Sequence, residues 1–195
     1  MKPLVEVIVP TMDNIQQLLQ MLHSFNNSIQ EPLAHRVHYT VINNGQAPLE
    51  KYVEPSPLIS VISPGKNLGW EGGLKKGLEH TDAPFIMFAN DDIRAITGAH
   101  DWLWKMLNNF NDPSVGAVGP VSNYVMGPQN IFMDDKFQML DVKYLIGFCL
   151  LVRREALEKA GGVDDTLPGG DDIDLSIRLR DAGYRLICRR DVFIF

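Results

Sequence analysis

The stretch FIMFANDDI, Phe85 to Ile93, drives a short apolar run straight into two neighbouring carboxylates, Asp91 and Asp92. A run of this length before a turn reads as a buried strand. A buried strand that ends on two like charges needs a reason, because each charge raises the pKa of the other unless something compensates. Two readings compete. The aspartates cap a turn or the next helix, which is common, or a cation neutralises them. Mg²⁺ is often held by one or two carboxylates plus substrate phosphates.

Outward from this stretch, strands alternate with helices. LVEVIV, Leu4 to Val9, is rich in β-branched residues and reads as a strand stopped by Pro10. Ile15, Leu18, Leu19, Leu22 and Phe25 then share one helical stripe, with Thr11 or Asp13 as its cap. RVHYTVI, Arg36 to Ile42, is a second strand closed by Asn43-Asn44-Gly45, and LISVIS, Leu58 to Ser63, is a third. KNLGWEGGLKKGL reads as a glycine-rich loop entering a helix. Beyond the acidic pair come a helix carrying Trp102, Met106 and Phe110, then a short strand at Val115 to Pro120. The stretch from Val121 to Asp141 has little pattern and is expected to be a mobile surface loop. YLIGFCLLV reads as a buried strand interrupted by Gly147, and REALEKA as a short helix ended by Gly161-Gly162. DDIDLSIRLRDAGYRL reads as a helix capped by Asp171 or Asp172 and closed at Gly183, before a strand-like VFIF. The alternation is regular through the first half and more mixed in the second, and it predicts one α/β domain over residues 1–195, a Rossmann-like three-layer sandwich around a mostly parallel sheet. Ligands bind such sheets off the carboxyl ends of the strands. Pro10 to Asp13, Asn43 to Gly45, Lys66 to Gly69 and Asn90 to Asp92 all lie at such ends, which favours a functional acidic pair.

Composition narrows the classes. Apolar residues make up 45% and charged residues 22% of 195, the balance of an ordinary globular domain. A net charge of -6, with no long Lys/Arg run, argues against a nucleic-acid partner. Cys149 and Cys188 sit in apolar runs without a CxxC pair, so buried thiols in a reducing compartment are expected. The N-terminal apolar run is broken by Glu6 and is too short for a signal segment. No apolar stretch approaches the roughly 20 residues that span a bilayer. A cytoplasmic location follows, with any membrane association made through partners.

A second acidic cluster lies in GGDDIDLSIRL, where Asp171, Asp172 and Asp174 crowd a helix start. Each carboxylate there is favoured by about 0.3–1 kcal/mol, so capping alone is a sufficient bland account. Three in four positions exceed what a cap needs, and Gly169-Gly170 lets the backbone approach a ligand. A carboxylate held near a substrate hydroxyl makes a general base. Gly69, Gly72, Gly73 and Gly77 match neither a P-loop nor a dinucleotide fingerprint, and imply close backbone packing or anion contact. Lys66 and Lys75 could face phosphates, although exposed lysines are usually just solvated. GxSxG, HExxH and CxxC are absent, the five histidines are scattered, and Trp70, Trp102 and Trp104 read as packing residues.

Six pieces in order, VIVPTMDNIQQLLQML, VINNGQ, KNLGWEGGLKKG, FANDDI, GFCLLVRREALEKAGGVDD and GGDDIDLSIRLRDAGYRL, resemble the family-2 inverting glycosyltransferases. Members have the GT-A fold and use nucleotide-activated sugars. The resemblance runs from Val5 to about Phe193 and implies roles by position. Thr11 and Asp13 would lie near the base and ribose. Asn43 stands where the family usually has an Asp that accepts a hydrogen bond from the base, and an Asn carbonyl can still accept. Asn67 and Gly69 match the N-x-G beside the nucleotide, while Lys75 replaces a further Asn. Asn90-Asp91-Asp92 matches the DxD-type motif, with Asp92 on Mg²⁺ or Mn²⁺ and Asp91 on the ribose or behind the metal. Gly147 would floor the donor-sugar site. Asp171-Asp172 matches the family's Glu-Asp pair, Asp172 being the base, with Asp174 and Arg178 supporting the helix.

The resemblance therefore implies metal-assisted, inverting transfer from a UDP-, GDP- or dTDP-sugar to a hydroxyl of a glycan, lipid-linked or protein acceptor. Family members usually carry a metal-ligating His shortly after the strand that here reads DVFIF. This chain has no His beyond His100 and stops at Phe195, so a domain truncated at its C-terminus is expected, with weak metal affinity and low turnover if nothing follows. The competing reading is a sugar-nucleotide or carbohydrate-binding domain without turnover. A nucleotidyltransferase on a similar sheet is disfavoured, because no GxGTR-type loop follows the first strand.

Overall fold

The structure is a computed structural model that describes residues 2–54, 56–96, 98–133, 136–167 and 169–195. Its strands are β1 (Val5–Thr11), β2 (Val37–Asn43), β3 (Ile59–Ile62), β4 (Phe85–Ala89), β5 (Val115–Val121), β6 (Met139–Val142), β7 (Cys149–Arg153) and β8 (Arg185–Phe193). They form one sheet in the order β3-β2-β1-β4-β7-β5-β8-β6. The pairs among β1 to β4 and the pair β5–β8 are parallel; β7 runs against β4 and β5, and β6 against β8. The sheet is mostly parallel, as expected.

Both faces are covered. On one face, Val5, Val7 and Val9 of β1 share a core with Leu18, Met21 and Phe25 of α1 (Ile15–Ser28). The same core takes Trp102 and Met106 of α3 (Trp102–Leu107). On the other face, Ile8 and Ile86 meet Leu74 of α2 (Gly69–Leu78), Leu157 of α4 (Arg154–Lys159), and Leu175 and Leu179 of α5 (Asp171–Asp181). Strands buried on both faces read as continuous apolar runs, which is why the central strands were legible. The glycines of α2 let it sit unusually close to β1. A Cβ on Gly77 would overlap Ile8, and one on Gly73 would lie 2.9 Å from Pro10 Cβ.

Several boundaries differ from expectation for identifiable reasons. β1 continues through Pro10 to Thr11, because its pairing to β4 ends at Ile8 and Pro10 has a strand neighbour on one side only, where proline is tolerated. Neither Thr11 nor Asp13 caps α1. The N-cap is Asn14, without a side-chain bond, since the Thr11 hydroxyl and the Asp13 carboxylate are engaged elsewhere. α5 is preceded by Gly170 in a left-handed conformation (φ 74°), so Asp171 and Asp172 lie inside its first turn rather than capping it. YLIGFCLLV is a strand only from Cys149 onward. Just before it, the N–H groups of Leu145, Ile146 and Gly147 donate to side chains, Ser176 Oγ (3.1 Å), Gln129 Oε1 (2.6 Å) and Asp172 Oδ2 (3.1 Å), and so cannot join a ladder.

Among the described residues, the stretch read as a mobile loop is instead tied down, and positions 134 and 135 lie outside them. Gln129, 1% exposed, donates to Pro120 O, and Arg190 donates to Pro128 O and Met133 O. β6 then emerges as an edge strand of only four residues, too short to show a period.

Candidate active site

The carboxyl ends of β1, β2 and β4 converge with the start of α2 around a cleft of about 400 Å³. Thr11, Asn14, Asn44, Asn67, Asp91 and Asp92 line it, with Gly69 and Trp70 closing one side. The parallel register that pairs Thr11 with Asn43 and Ile8 with Phe88 brings these strand ends together.

The two aspartates after β4 are not equivalent. Asp91 is half-buried and both its oxygens are engaged, Oδ2 by the Thr11 hydroxyl and Oδ1 by Asn14 Nδ2 at 3.2 Å. Burial pushes its pKa above the ordinary carboxylate range and the charge of Asp92 adds to that, while the bonds from Thr11 and Asn14 oppose it. Asp92 is exposed, and its carboxylate has no hydrogen bond or ion pair among the described residues. A hard-oxygen donor without an internal partner fits a divalent cation chemically. Among the described residues no three His, Cys, Asp or Glu side chains converge as a ready-made cation site.

Neighbouring asparagines divide the other work. Asn43 is buried and faces its own loop, with Nδ2 donating to Ala47 O (2.8 Å) and Oδ1 accepting from Gly45 N (3.1 Å). Asn44 reaches the cleft, where it donates to Gly69 O (2.8 Å) and accepts from Leu68 N (3.2 Å), fastening the start of α2 to the sheet. Asp13 adopts φ 57°, which turns it away from the cleft, and its Oδ1 accepts from the N–H groups of Gln46 and Ala47, both at 2.8 Å. Asn67 Oδ1 accepts from Gly69 N (2.8 Å), in a turn where Gly69 takes φ 74°.

The second acidic cluster lies across Trp70. Trp70 lines the cleft and also a narrow void beside Gly147, Asp171 and Asp172. Asp172 Oδ2 accepts from Gly147 N, and Oδ1 from Ile173 N (2.8 Å). Asp171 is raised above the usual carboxylate range by burial, then by the charges of Glu71 and Asp172, against a hydrogen bond from Trp70. The backbone joins the two clusters: Phe148, next to Gly147, accepts at its carbonyl from Asn90 N at 2.9 Å. Asp174 faces away and pairs with Arg178, whose Nε and Nη2 both meet Asp174 Oδ2 at 2.7 Å, and Arg178 also donates to Ala160 O and Gly162 O. Lys75 pairs with Asp165 at 2.7 Å, tying α2 to the loop before α5.

The structure thus brings Thr11, Asn67, Gly69, Asp91 and Asp92 into one cleft, with Gly147, Asp171 and Asp172 beyond Trp70. Asp13, Asn43 and Asp174 have other contacts, whereas Arg178 lines the same void as Asp171 and Asp172. Asn14, Asn44 and Trp70 also line the cleft, and from the sequence they are not named as site residues. Asn14 and Asn44 each directly follow a residue that was named, and Trp70 read as packing.

The comparisons fit this geometry. A model of the family described as Glycosyl transferase family 2 matches residues 6–161. The chain belongs to this family. Within it, the chain is similar to the pre-mycofactocin glycosyltransferase of Mycobacterium tuberculosis, 26% identical over 200 residues that cover 93% of this chain and 40% of that protein. It is also similar to the O-antigen biosynthesis protein RfbC of Myxococcus xanthus, at 22% identity over 95% of this chain and 16% of that one. The chain therefore spans less than half the length of these relatives. Among solved structures, the mannosyltransferase PcManGT of Pyrobaculum calidifontis, in complex with GDP-Man and Mn²⁺, superposes with a TM-score of 0.77 at 22% identity, over 100% of this chain and 56% of that one. GalNAc-T7 with UDP, GalNAc and Mn²⁺ superposes with a TM-score of 0.81 at 10% identity, over 99% and 43%. At such identities the likeness shows the fold, and the fold of this family-2 glycosyltransferase chain is GT-A. Among its described residues no helix is long and apolar enough to cross a membrane.

Proposed function

We propose that the chain is a catalytic domain that transfers a sugar from a nucleoside-diphosphate sugar to an acceptor hydroxyl, with inversion and with metal assistance. The observation that carries this reading is the pair of acidic groups on either side of Trp70, an open Asp92 in the cleft and an Asp172 anchored by backbone. The cleft would hold the nucleotide, with Thr11, Asn14, Asn44, Asn67 and Gly69 around it and Asp91 beneath. Asp13 and Asn43 would act from behind, by shaping the loop that closes its far side. Relatives of the same fold solved with GDP-Man or UDP and with Mn²⁺ support a nucleotide-sugar donor and a divalent cation.

Asp92 would hold Mg²⁺ or Mn²⁺, with donor phosphates and water completing the coordination that protein side chains leave open. When bound, the cation supplies a Lewis acid for the charge developing on the departing diphosphate. Asp172 does the proton work. Its two backbone bonds fix the carboxylate and leave lone pairs to accept from a hydroxyl. The acceptor oxygen forms its bond to the anomeric carbon as the bond to the diphosphate breaks on the opposite face, and the hydroxyl proton passes to Asp172. Gly147 admits the donor sugar and Asp171 steadies Trp70 in this reading.

The test is a pair of variants. Asp92→Ala is expected to lose the metal dependence of nucleotide binding, and Asp172→Asn to keep donor binding while losing transfer by about 10²–10⁴-fold. Unchanged metal dependence in the first, or wild-type turnover in the second, would refute the assigned roles. The reading as a binding domain without turnover predicts nucleotide binding with no donor hydrolysis or transfer in the parent chain.

A further inference from the structure

A second cavity, of about 300 Å³, opens beside the cleft and shares Asn90 and Asp92 with it. An occupant would therefore lie against the same carboxylate as the donor. Its other walls are largely apolar: Ile93, Tyr124, Val125, Phe148 and Phe195. Among the described residues Asp92 is the one charged side chain that lines it.

The segment that forms one wall displays large apolar side chains that folding does not use. Tyr124 is 94% exposed, Met126 82% and Phe132 80%. Of these Tyr124 lines the cavity, and exposed apolar surface at the rim of a cavity marks a ligand or partner site more often than chance. The backbone beneath them is nevertheless built. Ser122 N donates to Gln129 O, Ile131 N to Ser122 O, and Asn130 Nδ2 to Val125 O at 2.8 Å. The segment therefore holds its shape without burying those side chains.

We propose that this cavity takes the apolar portion of the acceptor, so that the transferred sugar is placed on a hydroxyl of an amphipathic molecule carrying an alkyl or aryl group. The inference rests on the proposed transferase reading and names the substrate class of that site. Phe148 links the cavity to the proton acceptor, since its neighbour Gly147 donates to Asp172 while Phe148 itself walls the cavity. A hydroxyl at the head of an apolar group lodged there would point toward that seam. A bulk anionic membrane is a poor alternative occupant, because residues 122–139 carry two aspartates against one lysine and the whole chain is net negative.

The test uses the chain as it exists, with n-octyl β-D-glucopyranoside below its micelle concentration and methyl β-D-glucopyranoside as probes, titrated by calorimetry or ligand-observed NMR. At about fourfold in affinity per buried methylene, burial of two makes the octyl compound bind about fifteenfold more tightly. Phenyl β-D-glucopyranoside distinguishes an aryl from an alkyl preference. In Tyr124→Asp, a change at an exposed position that leaves the core intact, the octyl and methyl compounds are expected to bind alike. Equal binding of the two by the parent chain, or an octyl advantage that survives Tyr124→Asp, would overturn the inference. So would association with phosphatidylcholine vesicles without any advantage for monomeric octyl glucoside. Separate titrations with GDP and UDP in the presence of Mn²⁺ keep the two failures apart. Loss of nucleotide binding with the octyl advantage intact overturns the transferase reading, whereas the reverse pattern overturns the acceptor class alone.

Discussion

Gly77→Ala is expected to destabilise the protein, although alanine is the better helix former. At an open position in α2 the change would gain about 1 kcal/mol of helix propensity. At Gly77 the new methyl would overlap Ile8 Cγ2 and lie only 3.0 Å from Ile8 Cδ1. Ile8 cannot yield easily. It is fully buried, it is β-branched and stiff at χ1, and its strand is paired on both sides, to Thr40 and to Phe88. The helix must therefore move outward, and overpacking of this kind costs about 1–3 kcal/mol. An overlap this deep belongs near the upper end, so after the propensity gain the net loss is about 2 kcal/mol. For a chain of this size that lowers Tm by about 4–8 °C. Urea denaturation followed by tryptophan fluorescence reads the same loss as a lower midpoint at constant slope. Gly72→Ala is the matched control, since its methyl meets only Leu68 Cβ, at 3.1 Å, and it is expected to be near neutral. An unchanged or raised midpoint for Gly77→Ala would refute the close seating of α2 on β1. The same seating shapes the cleft, because a methyl on Gly73 would press on Pro10 and, at 3.4 Å, on Asn44 Nδ2. Gly73→Ala is therefore expected to weaken nucleotide binding more than it weakens the fold.

Three further outcomes are expected. The Tyr39 hydroxyl is buried with no hydrogen-bond partner among the described residues, so Tyr39→Phe should be neutral or stabilising by up to about 1 kcal/mol, and a clear loss in urea denaturation would reveal a bridging water. Asp91 has a raised pKa in the fold, so its contribution to stability is fully present below the unfolded value of 3.8 and is lost as pH rises through the folded value. Metal-free Asp91→Asn should then match the parent at pH 3 and exceed it at pH 7, and a less stable variant at pH 7 would contradict the burial argument. Arg178→Met removes the pair with Asp174 and the bonds to Ala160 O and Gly162 O, and should lower stability by about 2–3 kcal/mol, with a less than additive further loss on Asp174→Asn.

Period and composition made the central strands and the long helices readable, because each is either buried on both faces or amphipathic over several turns. What stayed hidden depended on partners distant in sequence. Nothing within KNLGWEGGLKKGL says that its glycines face Ile8 and Pro10, so the helix was legible and its close approach was not. β7 runs antiparallel to β4 and β5, a reversal that depends on how β6 and the connections around it return the chain, and that no local pattern in YLIGFCLLV announces. At the cleft, one-residue differences mattered. The left-handed turn at Asp13 places Asn14 in the cleft in its stead, and the end of β2 sends Asn43 into its own loop and Asn44 into the cleft. Side chains that alternate across a strand make such neighbours opposites in space.

The three aspartates of the second cluster were indistinguishable in the sequence, and their partners now rank them. Asp174 is committed to Arg178, and Asp171 is crowded by Glu71 and tied to Trp70. Asp172 alone is gripped by the backbone of another segment, at Gly147 N, and with Ser176 and Gln129 it holds Leu145 to Gly147 out of the strand. In the proposed mechanism anchoring and proton acceptance would fall on one carboxylate, which complicates the Asp172→Asn experiment in a definite way. An amide can accept from one of the two N–H groups and must set its own NH₂ against the other, at a cost of about 1–3 kcal/mol. Some loss of stability is expected even if the residue never touches a proton. The separating measurement is donor affinity. An anchor alone would let Gly147 and Phe148 shift, so that binding and turnover fall together, whereas a base leaves binding in place and removes the turnover.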